Sequence, residues 1–211
     1  MHASLFLTAI ALIPFAVAAP RHPSFHSRRD GENTSAPAAP TCDLGNVQQP
    51  ASVLAPPTGL QLVLVALGKG TQNYTCADPT AAPAAIGALA QLYNASCALA
   101  GNPSASTTSL GSIDESASIG EHFFVDNTTP DFDIFGLGNT QLKKVQDASA
   151  PKPDSDVKWL RLQAQAQGTT GGVKMIYRLN TVGGVAPATC AGQAAGDVIT
   201  VDYEAQYWVY A

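Results

Sequence analysis

Charge is scarce in this chain and basic charge scarcest: charged residues make up 13% of the 211, with 11 Lys and Arg against 16 Asp and Glu. A net-acidic surface repels nucleic acid and anionic lipid, so neither is expected as a partner. Lys143 and Lys144 are the only adjacent cations after Arg29, and such a lone pair reads as a solvated face. Histidine is scarcer still, His122 standing alone beyond residue 29. With no C-x-x-C either, a tetrahedral zinc site lacks its ligands, and no metal is expected. Asp126, Asn127, Asp131 and Asp133 offer oxygen ligands without the spacing of a calcium loop. G-x-S-x-G is missing, which excludes the nucleophile elbow of a serine hydrolase. A nicotinamide dinucleotide needs G-x-G-x-x-G between a strand and a helix; GKGTQN and GLGNTQ are the nearest approaches, and both lack the third glycine. No cofactor is therefore expected.

A long apolar span is missing too. The run from Leu5 to Val17 is shorter than the roughly 20 residues that cross a bilayer, and Pro14 interrupts it. Ending in small Ala16 and Ala18 in an A-x-A arrangement, it reads as a secretory signal peptide over 1–18. Residues 19–41 read as propeptide and disordered linker, with Arg28 and Arg29 in an exposed tail open to proteolysis and a Pro-, Ala- and Ser-rich stretch behind them. The dibasic pair marks either a cleaved propeptide or an uncut tail. Loss of Arg21, Arg28 and Arg29 leaves 8 basic against 16 acidic residues.

Residues 42–211 then form a single β-rich domain, of a length that suits one core. Its cysteines, Cys42, Cys76, Cys97 and Cys190, are even in number, which in an exported chain predicts two disulfides in one of three connectivities. Asn33, Asn73, Asn94 and Asn127 open N-glycosylation acceptor triplets. Asn73 lies in a strand-like stretch, so a glycan there needs an outward side chain.

The periodicity predicts an all-β fold, an antiparallel sandwich or barrel with long loops. In ITVDYEAQYWVY, Ile199, Val201, Tyr203, Ala205, Tyr207 and Val209 share one face, and Thr200, Asp202, Glu204 and Gln206 the other. VKMIYRLN places Val173, Met175, Tyr177 and Leu179 together. GLQLVLVALGKGTQNYTC reads as two strands joined by a turn at Gly68 and Gly70. PAAIGALAQLYNASCALA is the one place for a short helix, because alanine favours helix, although Gly87 sits in its middle.

Catalytic candidates are few. His122 is flanked by Glu121, and Asp131 and Asp133 share one face of PDFDIF, a spacing that suits paired carboxylates. A secreted hydrolase would have to be built from these four. The competing reading is a buried structural histidine beside solvated acids.

GTQNYTC, GEHFF followed by PDF, KWLRLQA, RLNTVGGVAPATC and DYEAQYWVY resemble the fungal branch of a secreted family, domain of unknown function 3455, over roughly Cys42 to Ala211. The resemblance implies no established activity or catalytic residue. It implies a shared Cys76 to Cys190 bridge, with Cys42 and Cys97 as a fungal addition. Some fungal relatives are labelled malate dehydrogenase; the missing dinucleotide fingerprint argues against carrying that label over.

What remains is a binding protein of the cell wall or extracellular surface, or a structural component of that surface. Its partner would be polysaccharide, a surface glycan or another protein. Exposed Trp159, Trp208, Tyr207 and Tyr210 would stack on sugar faces, unless they pack in the core. In YRLNTVGGVAPATC, Gly183 and Gly184 let the strand ending at Asn180 turn or bulge, Pro187 holds the following chain extended, and Cys190 staples its far end. Alternatively, backbone approach at the glycines admits a ligand faced by Arg178 and Asn180.

Overall fold

The structure, a computed structural model, describes residues 42–101 and 113–211. The expected signal peptide, the Arg28–Arg29 pair and Asn33 lie outside the described residues. Eight strands alternate in direction within them: β1 (Leu62–Thr75), β2 (Ala84–Asn94), β3 (Gly120–Phe124), β4 (Pro130–Ile134), β5 (Gly138–Ala148), β6 (Trp159–Ala164), β7 (Met175–Gly183) and β8 (Val198–Tyr210). One short helix, α1 (Ser96–Gly101), follows β2. Each strand pairs with the next, and β8 returns to pair with β1 from Leu62↔Tyr210 to Thr75↔Val198. The sheet is a closed antiparallel barrel, which leaves no unpaired edge.

Closure gives every strand an inner and an outer face. Inside lie Leu64, Ala66, Ala88, Ala90, Leu92, Phe132, Ile134, Leu142, Leu162, Ile176, Tyr203, Ala205, Tyr207 and Val209. A second apolar layer lies outside, on β1 and β6–β8, where Val65, Trp159, Met175, Tyr177, Leu179, Trp208 and Tyr210 pack with Leu54, Ala95, Leu99 and Ala150. The segment 42–61 covers that layer as a strap. Tyr177 Oη donates to the Ala55 carbonyl at 2.6 Å, Tyr210 Oη to Gln49 Oε1 at 2.9 Å, and the Cys42–Cys97 disulfide ties the strap to α1. Among the described residues the strap does not reach the outer face of β2–β5; there the 165–171 segment packs on Asn139 and Gln141 of β5 and leaves Leu89, Glu121 and Asp133 exposed.

Two expectations change. The run containing Gly68 and Gly70 is one 14-residue strand, not two joined by a turn. Those glycines are there for space: a β-carbon at Gly68 would enter the Tyr207 ring, and one at Gly70 the Leu89 backbone. The alanine-rich stretch is mostly strand, with only Ser96–Gly101 helical. Ala88 and Ala90 face the interior, where small side chains make room for aromatic rings from other strands.

The stretch Tyr177 to Cys190 closes one end of the barrel. β7 does not stop at Asn180; that residue takes φ 45°, the register with β8 shifts between Leu179 and Val182, and the strand continues to Gly183. Gly183 and Gly184 have φ 74° and 86°, which turns the chain over the barrel mouth. Gly184 packs against Gln72, Tyr203 and Val157, its carbonyl accepting from Tyr74 Oη at 2.6 Å. Asp156 Oδ1 accepts the Gly183 N–H at 2.9 Å. The chain then runs unpaired past Pro187 to Cys190, bonded to Cys76 just beyond β1.

Candidate functional site

The four aromatic candidates are buried. Trp208 lies in the outer layer with Nε1 donating to Gln206 Oε1 at 3.1 Å; Tyr210 and Trp159 lie beside it, and the buried Trp159 Nε1 has no partner. Tyr207 points into the barrel. Stacking on a sugar requires an open ring face, and none of these residues offers one.

The catalytic candidates are separated by the barrel wall. His122 faces inward, stacked on Phe132 at 4.1 Å with Tyr207 edge-on at 5.4 Å. Its Nδ1 lies 2.9 Å from the Asp131 carbonyl, an acceptor, so Nδ1 carries the proton. Burial lowers its pKa to about 3, the Arg178 charge adding to the effect and the Asp131 hydrogen bond opposing it. Glu121, next in sequence, faces outward opposite Asp133. Asp131 is outward but buried; its Oδ2 accepts from Asn139 Nδ2 at 3.0 Å, its Oδ1 has no partner, and burial raises its pKa. An acid and a base must reach the same reacting atom. The imidazole and the carboxylates here look to opposite sides of the sheet.

Arg178 and Asn180 also part company. The irregularity at Asn180 sends its Nδ2 to Gln206 Oε1 at 3.1 Å on the outer side. Arg178 is buried, with Nε and Nη2 donating to the Lys158 carbonyl at 3.2 and 2.9 Å and its charge acting on His122, Tyr74, Tyr203 and Tyr207. Tyr203 and Tyr207 share a hydroxyl contact of 2.8 Å. The barrel thus holds a cation among phenols. Gln72 and Tyr74 belong to this group and were not singled out from sequence. Their signal was polar groups spaced by two on the same face of β1 as Leu64 and Ala66.

On the outer wall, registered neighbours Gln91, Glu121, Asp133 and Asn139 form a row across β2–β5, with Leu89, Phe123, Asp131 and Gln141 beside it; the 165–171 segment lies over its β5 end, where Asn139 Nδ2 donates to the Gly168 carbonyl at 2.7 Å. Gln91 Nε2 donates to Glu121 Oε1 at 3.0 Å, and Leu89 is 51% exposed. At the β1 side, Lys69 bridges Glu115 and Glu204 at 2.7 and 3.2 Å beside an open groove of about 540 Å³ that also holds Thr71, Val182 and Asp202. No sequence motif marks this row, because each strand supplies only one or two of its members. Asn127 stands exposed at the β3–β4 turn, Asn73 faces outward from β1, and Asn94 accepts the Ser96 N–H at the start of α1.

The family described as protein of unknown function (DUF3455) matches residues 56–211, from just before β1 to the chain's last residue. The chain belongs to that family. The match takes in all eight described strands. No curated protein and no solved structure matches the chain. Among the described residues no cluster of three His, Cys, Asp or Glu side chains could hold a metal, and no helix is long and apolar enough to cross a membrane.

Proposed function

We propose that this family member is a secreted, non-catalytic binding protein that holds a neutral glycan of the cell wall or extracellular surface on the outer wall of β2–β5. In this reading residues 1–18 are removed on export, 19–41 precede the working domain, and 42–211 act as one unit. Two disulfides support an oxidising compartment. The observation that carries the binding reading is the open outer wall of β2–β4, where Gln91, Glu121 and Asp133 lie beside exposed Leu89 and half-buried Phe123. Amides and carboxylates exchange hydrogen bonds with sugar hydroxyls, while an apolar strip covers the C–H faces of the ring. The barrel interior and the buried tryptophans offer no comparable open face to a polymer.

Co-sedimentation of the secreted protein with insoluble wall polysaccharide tests this. Gln91→Ala, Glu121→Ala and Phe123→Ala should each weaken retention about tenfold, the effect of losing one good contact of roughly 1.4 kcal/mol. No retention of the native protein, or retention of all three variants equal to that of the native protein, overturns the assignment.

A further inference from the structure

Among the described residues the barrel interior contains a formal positive charge and no carboxylate to meet it. Arg178 is only 8% exposed, and among the described residues no carboxylate lies within ion-pair distance of it. Two of its donors share one carbonyl, that of Lys158. A buried cation without a counter-charge is costly, and native structures compensate such groups with a partner or ligand.

The surrounding side chains do not provide the missing charge. Burial raises the pKa of Tyr203 and Tyr207, so both remain phenols, and the nearest imidazole is neutral. The carboxylate of Asp131 belongs to the outer face. Donors accumulate instead: the Tyr203 and Tyr207 hydroxyls meet at 2.8 Å with the Arg178 guanidinium beside Tyr207 and the Gln72 amide beside Tyr203, and Gln72 Nε2, beneath Gly184, is buried without a close partner. Guanidinium, amide and phenol groups are what an acceptor-only ligand requires.

We propose that Arg178 holds a small monovalent anion inside the barrel, shared with the Tyr203 and Tyr207 hydroxyls and the Gln72 amide. Charge sets the valence at one. Size follows from packing: Phe132, Tyr207 and His122 occupy the middle of the barrel, and the Gly184 turn covers its mouth. A halide or a formate-sized carboxylate fits that description; a sugar acid or nucleotide does not. This site goes beyond the glycan reading and is independent of it.

The test is thermal melting of the mature protein in sodium chloride, sodium formate and sodium gluconate at equal ionic strength. Chloride or formate should raise the melting temperature saturably by about 5 °C over bulky gluconate, a shift expected at a concentration well above the dissociation constant. Arg178→Met should lose that dependence. Should that variant fail to fold, Tyr207→Phe keeps the ring, removes one donor and should move the anion titration midpoint to at least threefold higher concentration. Crystals soaked in bromide should show an anomalous peak beside Arg178. Identical melting in the three salts, an unchanged midpoint in Tyr207→Phe, or bromide bound only at the surface overturns the proposal.

Discussion

His122 is held neutral inside the barrel, and that makes it an acid-sensitive residue. Its folded pKa of about 3 lies below the ordinary value near 6.5, chiefly because burial penalises the charged ring. Between those two values the unfolded chain binds a proton that the folded chain refuses, so stability falls as pH drops below about 6.5. The slope is at most about 1.4 kcal/mol per pH unit for one group. Asp131, whose pKa is raised by burial, acts with the opposite sign: its contribution is lost as pH rises through its folded pKa. His122→Gln, which can still donate to the Asp131 carbonyl but cannot titrate, should show a flatter fall in urea midpoint between pH 7 and pH 5 than the native protein. Parallel slopes would remove His122 from the account. The identity of this residue was plain in the sequence, but its direction was not: Glu121 and His122 are adjacent, and adjacency in a strand means opposite faces.

For the strands, alternation predicted the inner face of β8 well and its outer face only in part. Asp202 and Glu204 are exposed as expected, whereas Gln206, Trp208 and Tyr210 are buried because the strap crosses that end. A covering segment that comes from a distant, unpatterned stretch leaves no period in the strand it covers. The same gap hid the polar row of the outer wall, which exists only after four strands align. The glycine turn at the barrel mouth, in contrast, was legible from residue chemistry. Its prediction is specific to position. Gly184→Ala must place a β-carbon 2.9 Å from Gln72, Tyr203 and Val157 at φ 86°, while Gly192→Ala pays only for φ 84° with nothing within 4 Å. The first should lose about 2–4 kcal/mol and the second about 1 kcal/mol by denaturant unfolding, as overpacking adds to backbone strain. Equal losses would mean that the turn does not seat in the barrel mouth.

Across the whole molecule, the two disulfides hold different things. Cys76–Cys190 spans 114 residues and fixes the chain that closes the barrel; Cys42–Cys97 spans 55 and fixes the strap over the outer layer. Loop entropy grows only logarithmically, so removing either pair as a double Cys→Ser variant should cost about 4–5 kcal/mol in the chain-entropy model. Size alone therefore cannot tell them apart. Location can, because both tryptophans of the chain, Trp159 and Trp208, belong to the outer layer beneath the strap. In Cys42→Ser/Cys97→Ser the strap is left with its hydrogen bonds and apolar contacts and should open as a local unit of lower stability than the barrel. Tryptophan emission should then shift to the red at lower denaturant than the loss of far-ultraviolet β signal. In Cys76→Ser/Cys190→Ser the two signals should move together, since the barrel itself is weakened while the strap stays tied. Coincident transitions in both variants would show that strap and barrel unfold as one cooperative body.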